Sequence, residues 1–262
     1  MTTLQHADTP RWNWPAGGVL AAIAITTAMD ANGLFMYSAL ALTPLAGLFW
    51  YLQRFSGQEM GMGWGTARAN GWALAFPVIA MATIALVAML AGATDTTDAN
   101  WKTAGLNIAV GSTIGVLMVW LTEEGFFRGW LWASLKNVGH SNLATLWLST
   151  AAFVIWHLSA ILLDTGFDVP LREVPIYLVN ATIIGGVFGY LRLVSGSVFT
   201  ASVCHAVWNA LAYPLFGFGE KTGELGIAAT HIYGPEVGVV GIAVNSLLAV
   251  LMIAAMPIDR DR

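Results

Sequence analysis

Apolar residues run along this chain in stretches of about 20, separated by short polar punctuation, and a stretch of that length is what a helix needs to cross a bilayer. The pattern predicts an all-α polytopic membrane bundle of about eight transmembrane helices. The first two share residues 17–53, with Asp30 to Gly33 as the turn between them. The third covers 71–92. The fourth runs unusually far, over 105–135, and is the one apolar stretch interrupted by charge. The fifth, sixth, seventh and eighth cover 142–163, 174–193, 197–216 and 237–256, with a Gly-rich polar loop at 217–236. No internal repeat or low-complexity segment divides the chain, so it reads as a single membrane domain over residues 1–262.

Composition agrees with that pattern. Of 262 residues, 57% are hydrophobic and 10% charged, with a mean hydropathy of +0.68, where soluble domains carry about 25% charge. The net charge of −4 is diffuse and there is no basic tract, which argues against a nucleic-acid partner. The single cysteine, Cys204, excludes an internal disulfide framework. The polar start, Met1 to Arg11, lacks the pattern of a cleaved signal peptide. With both termini cytoplasmic, Arg11, Arg54, Arg68, Lys136, Arg192, Arg260 and Arg262 lie inside and Lys102, Arg172 and Lys221 outside. That bias fits the positive-inside rule and an even number of helices, in a protein expected in the plasma membrane. Trp12, Trp14, Trp50, Trp72, Trp101, Trp130 and Trp132 fall near proposed boundaries, as an aromatic belt would. Gly111/Gly115 and Gly185/Gly189 are small-residue pairs suited to close helix packing.

Once loop charges are set aside, six polar residues remain at membrane depth: Glu123, Glu124, Arg128, His157, His205 and Asn209. Charged groups there are costly and are usually kept for a function. At 1.5 Å per residue, Glu123 lies about 20 Å and Arg128 about 12 Å from the end of their helix near Lys136. By the same measure His157, His205 and Asn209 are about 22, 12 and 18 Å from the cytoplasmic ends of theirs. The set can therefore converge from three helices. Glu124 and Arg128 are four apart in the favourable acid-first order and read as a mutually neutralising pair. Glu123, turned about 100° away, is left as the free carboxylate and the candidate general base. His205 and Asn209 share a face. Cys204 points elsewhere and reads as packing, and His6, His140 and His231 lie in tails or loops. Each polar residue alone has a bland reading as helix glue; their joint occurrence does not.

Glu123-Glu124-Gly125-Phe126-Phe127-Arg128 resembles the EExxxR motif of the CPBP family, which holds the CAAX prenyl proteases and bacteriocin-processing intramembrane peptidases. Phe153 to His157 is similar to its FxxxH motif and His205 to Asn209 to its HxxxN motif, in the same order. Gly189-Tyr190 and Ser195 to Ser197 are also similar to family members. The resemblance covers residues 112–213, which would form the catalytic core. It implies an eight-helix membrane endopeptidase with Glu123, His157, His205 and Asn209 as the catalytic set and Glu124–Arg128 as a supporting ion pair. Glu123, helped by His157, would activate water; His205 and Asn209 would hydrogen-bond the oxyanion.

A rival version places zinc on Glu123, His157 and His205, two imidazoles and a carboxylate being a recognised catalytic set. The family is often labelled metalloprotease, and members are also described as glutamate-dependent without metal. The metal-free version is preferred here because Asn209 suits an oxyanion donor and is not a usual zinc ligand. The substrate implied is a membrane-embedded or lipidated peptide or protein, met within the lipid bilayer. Two other readings use the same cluster: a proton-coupled transporter, disfavoured by the lack of paired repeat halves, and a non-catalytic scaffold.

Overall fold

A computed structural model describes residues 13–219 and 221–258. Arg11, Trp12, His6, Arg260 and Arg262, used above for orientation and belt, lie outside the described residues, as does the whole start 1–11. The described chain is almost entirely helical: α1 (Asn13–Ala31), α2 (Phe35–Gln53), α3 (Ala67–Leu90), α4 (Trp101–Gly111), α5 (Ile114–Leu121), α6 (Trp132–Asn137), α7 (Asn142–Leu162), α8 (Val174–Ser195), α9 (Val198–Phe216), α10 (Thr230–Tyr233) and α11 (Val239–Ala255). One two-residue hairpin, β1 (Gly217–Phe218) and β2 (Lys221–Thr222), interrupts the last long loop.

Helix starts follow the caps in the sequence. The side chains of Thr66, Asn100, Ser141 and Ser197 accept from the backbone N–H three residues on, at 3.3, 3.0, 3.2 and 3.3 Å, and so open α3, α4, α7 and α9. The first hairpin turns at 31–34, where Gly33 has φ +74° and its N–H bonds to the Asp30 carbonyl.

By length and composition, α2, α3, α7 and α8 are each able to cross a membrane, and α4 with α5 makes a fifth if counted as one span bent by 46°. This is a membrane protein with four or five such helices, short of the eight expected. α11 is apolar but only 17 residues long. α9 has 19 residues and carries Thr200, Ser202, His205 and Asn209, the polar content that a site requires.

The fourth predicted segment departs most from expectation. It is not one long helix. α4 and α5 break at 112–113, Thr122 leaves helical geometry at φ −97°, ψ −99°, and Gly125–Leu131 forms a π-helical stretch before α6. π-type turns mark local strain in the hydrogen-bond ladder and are frequent at functional sites. Gly125 belongs to this distortion. A Cβ there would stand 2.5 Å from the Trp120 carbonyl oxygen, so only glycine fits.

α9 lies centrally, packed on α3, α4, α5 and α8, while α8 also contacts α7 and α11. The two glycine pairs serve this packing. A Cβ on Gly111 would stand 2.8 Å from Ala210 of α9, and one on Gly185 would meet Phe153 and Thr150 of α7 at 3.2 and 3.3 Å. Trp130 and Trp132 are corrections to the aromatic belt. They are 0% and 4% exposed, inside the core, where Trp130 stacks on Phe49 at 4.7 Å and donates to Gln53 Oε1 at 2.6 Å. Their place on the π-helical stretch and α6 turns them inward, which apolar periodicity did not reveal.

Candidate active site

Glu123 and Glu124 follow the break at Thr122, so the distortion of the helix sets where both carboxylates point. Glu124 is fully buried. Its Oε1 accepts from Arg128 Nη1 at 3.1 Å and lies 2.9 Å from His205 Nδ1. Arg128, also fully buried, donates from Nη2 to the Gly185 carbonyl at 2.9 Å and lies over the Phe153 ring at 4.3 Å. Buried charge of this kind is tolerable only when paired and hydrogen-bonded. The absence of a side chain at Gly185 lets its carbonyl come that close; a Cβ there would stand 3.4 Å from Nη2.

Glu123 has a different neighbourhood. Its Oε2 lies 3.8 Å from His157 Nε2 and 3.8 Å from His205 Nε2, is buried, and has no hydrogen-bond partner. Both distances exceed a direct hydrogen bond. His157 stands where α7 slackens after Trp156, and its Nδ1 is 2.8 Å from the Phe153 carbonyl. A carbonyl oxygen only accepts, so Nδ1 carries hydrogen and, in the neutral form, the ring turns its Nε2 lone pair toward Glu123. His205 holds Nδ1 on Glu124 and is stacked on Phe188 at 4.5 Å, so its Nε2 also faces Glu123. With hydrogen on Nδ1, His205 can donate from Nε2 only as imidazolium.

Glu123, His157, His205 and Asn209 line one cavity of about 350 Å³ between the end of α1, α7 and α9. Asn209 is half-buried and its side chain has no hydrogen-bond partner among the described residues, so its amide is available to a ligand. All four residues named from the sequence are thus brought to one cavity. Glu124 and Arg128 sit beneath it, with Glu124 joined to it through His205. The spacing argument treated Glu124 as neutralised by Arg128 alone, whereas its Oε1 is shared with His205, which only the approach of α9 could reveal.

Other residues reach this region without having been read as site residues. Asp30, taken above as part of a turn, lines the same cavity and is 4% exposed; its Oδ2 accepts from Ser159 Oγ at 2.6 Å. Trp156 lines it too. Glu236 lines a smaller adjoining cavity with His157, His205 and Asn209 and accepts from Trp208 Nε1 at 2.7 Å. Its loop is pinned by Asn180 Nδ2, which bonds the carbonyls of Glu236 and Gly238 at 3.0 and 3.3 Å. A carboxylate in a helix-terminal turn or a loop has an ordinary solvated reading, and no local pattern in the sequence signals otherwise.

Two imidazoles and a carboxylate are suitable zinc donors. Among the described residues, however, no group of three or more His, Cys, Asp or Glu side chains is arranged to hold a metal ion. Glu123, His157 and His205, the zinc set expected as an alternative, do not form such a group as these side chains stand.

Residues 105–211 match the family described as Type II CAAX prenyl endopeptidase Rce1-like. The matched stretch runs from α4 to α9 and contains all three motifs, about two-fifths of the chain. Over that stretch the chain is similar to the CAAX prenyl endopeptidase family. No curated protein matches the chain.

Proposed function

We propose that this protein hydrolyses a peptide bond of a prenylated or otherwise membrane-associated substrate, with Glu123 activating water. One observation carries the reading: an unpartnered buried carboxylate oxygen faces two imidazole Nε2 atoms at 3.8 Å. Glu123 and neutral His157 are both acceptors across that gap. Water, with two O–H donors, is complementary to them and is held with its lone pair free for attack.

In the reaction, the water oxygen bonds to the scissile carbonyl carbon as one water proton passes to Glu123. Asn209 Nδ2–H and the imidazolium form of His205 stabilise the oxyanion, a contribution of about 2.7–4 kcal/mol per donor in other hydrolases. Collapse breaks the C–N bond, and Glu123 returns its proton to the departing amine. Glu124 holds His205 oriented and favours its charged form, and Arg128 balances Glu124.

The transporter and scaffold readings account less well for a cavity in which two imidazoles and an amide surround an unpartnered carboxylate. The test is cleavage of a fluorogenic prenylated CAAX peptide by protein purified in detergent. Wild type should cleave it and Glu123→Ala should not, with unchanged melting temperature. Full activity in Glu123→Ala rejects Glu123 as the base. Activity that survives exhaustive chelation, with no bound metal by elemental analysis, rejects the zinc version.

Residues 112–213 are proposed as the catalytic core of one membrane domain, with both termini on the cytoplasmic side of the plasma membrane. Cys204 is the only cysteine and is buried, so cysteines introduced singly into loops can be mapped from either side with little background. A cysteine at Lys102 labelled from the cytoplasmic side would reverse the orientation.

A further inference from the structure

Two residues that line the catalytic cavity each carry a buried polar atom without a partner, and the chemistry above uses neither. Asp30 is 4% exposed and its Oδ1 is without a hydrogen bond, while Oδ2 is fixed by Ser159. Trp156 is 9% exposed and its indole N–H has no acceptor. Its ring is held edge-on to His157 at 4.7 Å and against Phe127 at 5.7 Å. Ser159 follows Trp156 by three residues, so the two share a helix face and bring Asp30 alongside the turn that carries Trp156.

Leaving one buried polar atom unsatisfied costs about 1–3 kcal/mol, and more when it is charged. Here two such atoms belong to residues that line one cavity, one an acceptor and one a donor. An extended residue offers the complementary pair on one side, its own N–H and C=O. Phe35, Met36, Phe167 and Phe218 give the cavity apolar surface, and Ser38, Tyr177, Tyr213 and Lys221 also line it.

We propose that Asp30 and Trp156 form a backbone-binding subsite for the substrate peptide. Asp30 Oδ1 accepts a substrate N–H and Trp156 Nε1 donates to a substrate carbonyl. The contacts set the register of the chain, so that the scissile carbonyl meets Glu123, and they do so without selecting side chains. The proposal rests on the peptidase reading of the same cavity.

The test uses a fluorescent farnesylated CAAX peptide in detergent micelles, and the same peptide N-methylated at each backbone nitrogen in turn. Cleavage is read as kcat and KM, and binding as anisotropy on the inactive Glu123→Gln protein. Asp30→Ala should weaken binding and raise KM about tenfold, as expected for loss of one hydrogen bond to a charged group. Asp30→Asn, which keeps an acceptor oxygen, should lose less. Trp156→Phe keeps the ring contacts but removes the N–H, and should also raise KM.

The decisive readout is the pairing. N-methylation at one position should weaken binding to protein carrying Asp30 about tenfold and add nothing in Asp30→Ala, as two ends of one hydrogen bond require. A purely structural Asp30 would lower the melting temperature and leave the N-methyl penalty intact, and that result overturns the subsite. Cleavage unaffected by these variants removes the subsite and leaves the peptidase. Binding with that pairing but without cleavage retains the subsite and removes the peptidase. A peptide neither bound nor cleaved rejects both for this substrate class.

Discussion

Glu123 and Glu124 are adjacent, yet they stand in opposite surroundings. Glu124 meets donors, Arg128 Nη1 at 3.1 Å and His205 Nδ1 at 2.9 Å on the same oxygen. Glu123 has no donor within hydrogen-bond reach, His157 Nε2 and His205 Nε2 both standing 3.8 Å away. Burial separates them only in part, Glu124 being fully buried and the Glu123 side chain 15% exposed. The supply of neighbouring hydrogen-bond donors separates them more sharply. A carboxylate that meets donors serves the fold, although Glu124 Oε2 and Arg128 Nε have no hydrogen-bond partner. A carboxylate with no donor in reach is incomplete until something with hydrogens to give lies beside it.

Making the same substitution at both positions is the sharpest test of that contrast. Glu123→Gln should lower the cleavage rate about 10²–10⁴-fold, the usual worth of a general base, while the melting temperature in detergent stays put. Glu124→Gln should do the reverse in kind. It leaves Arg128 as an uncompensated buried charge and should cost about 3–5 kcal/mol of stability, read from thermal unfolding and extractable yield. Equal stability losses at the two positions would erase the distinction. Asn209→Ala tests the ligand side of the cavity and should reduce kcat about 10²–10³-fold with little change in melting, as removal of one oxyanion donor does elsewhere.

The smallest effect is expected outside the cavity, in the 56–62 turn that Arg192 steadies by donating to the Glu59 carbonyl at 3.1 Å. There the Ser56 N–H and hydroxyl both donate to Glu59 Oε2 at 2.7 Å and hold that carboxyl below its ordinary range. A depressed folded-state value means the stabilisation is present above the unfolded pKa of about 4.3 and is lost as pH falls through the lower folded value. Ser56→Ala should therefore cost no more than about 0.5 kcal/mol at neutral pH, the turn being exposed, and less as Glu59 protonates. An undiminished difference at low pH would show that the serine acts by some other route.

Much of this arrangement was legible from spacing. The acid-first interval of four between Glu124 and Arg128 brings those side chains together on one turn, and local geometry is enough for that. Ser141 and Ser197 announced the starts of α7 and α9 because capping is also local. The fourth segment was misread as continuous because its apolar run does not register the failure of the hydrogen-bond ladder at 112–113 and Thr122. Gly125 was the available signal there, though glycine alone has many readings. Trp130 and Trp132 were assigned to a membrane interface on position along the run, yet face the core because the π-helical stretch changes the direction of the helix surface.

By itself, then, the sequence determined a helical membrane protein and the small set of polar residues that such a protein would not bury idly. It also pointed to Glu124 as the partner of Arg128, since an interval of four brings two side chains together on an α-helical face. Tertiary structure decided what each remaining group faces. That His205 spans the two glutamates, that Asp30 comes from the end of α1 to meet Ser159, and that Trp156 lines the same cavity depend on helices packing across 129 residues or fewer of intervening chain. The physical reason is range. Propensity, capping and periodicity act over a few residues, while hydrogen-bond complementarity in a cavity is set by groups distant in sequence, and only their assembly makes Glu123 the carboxylate without a donor.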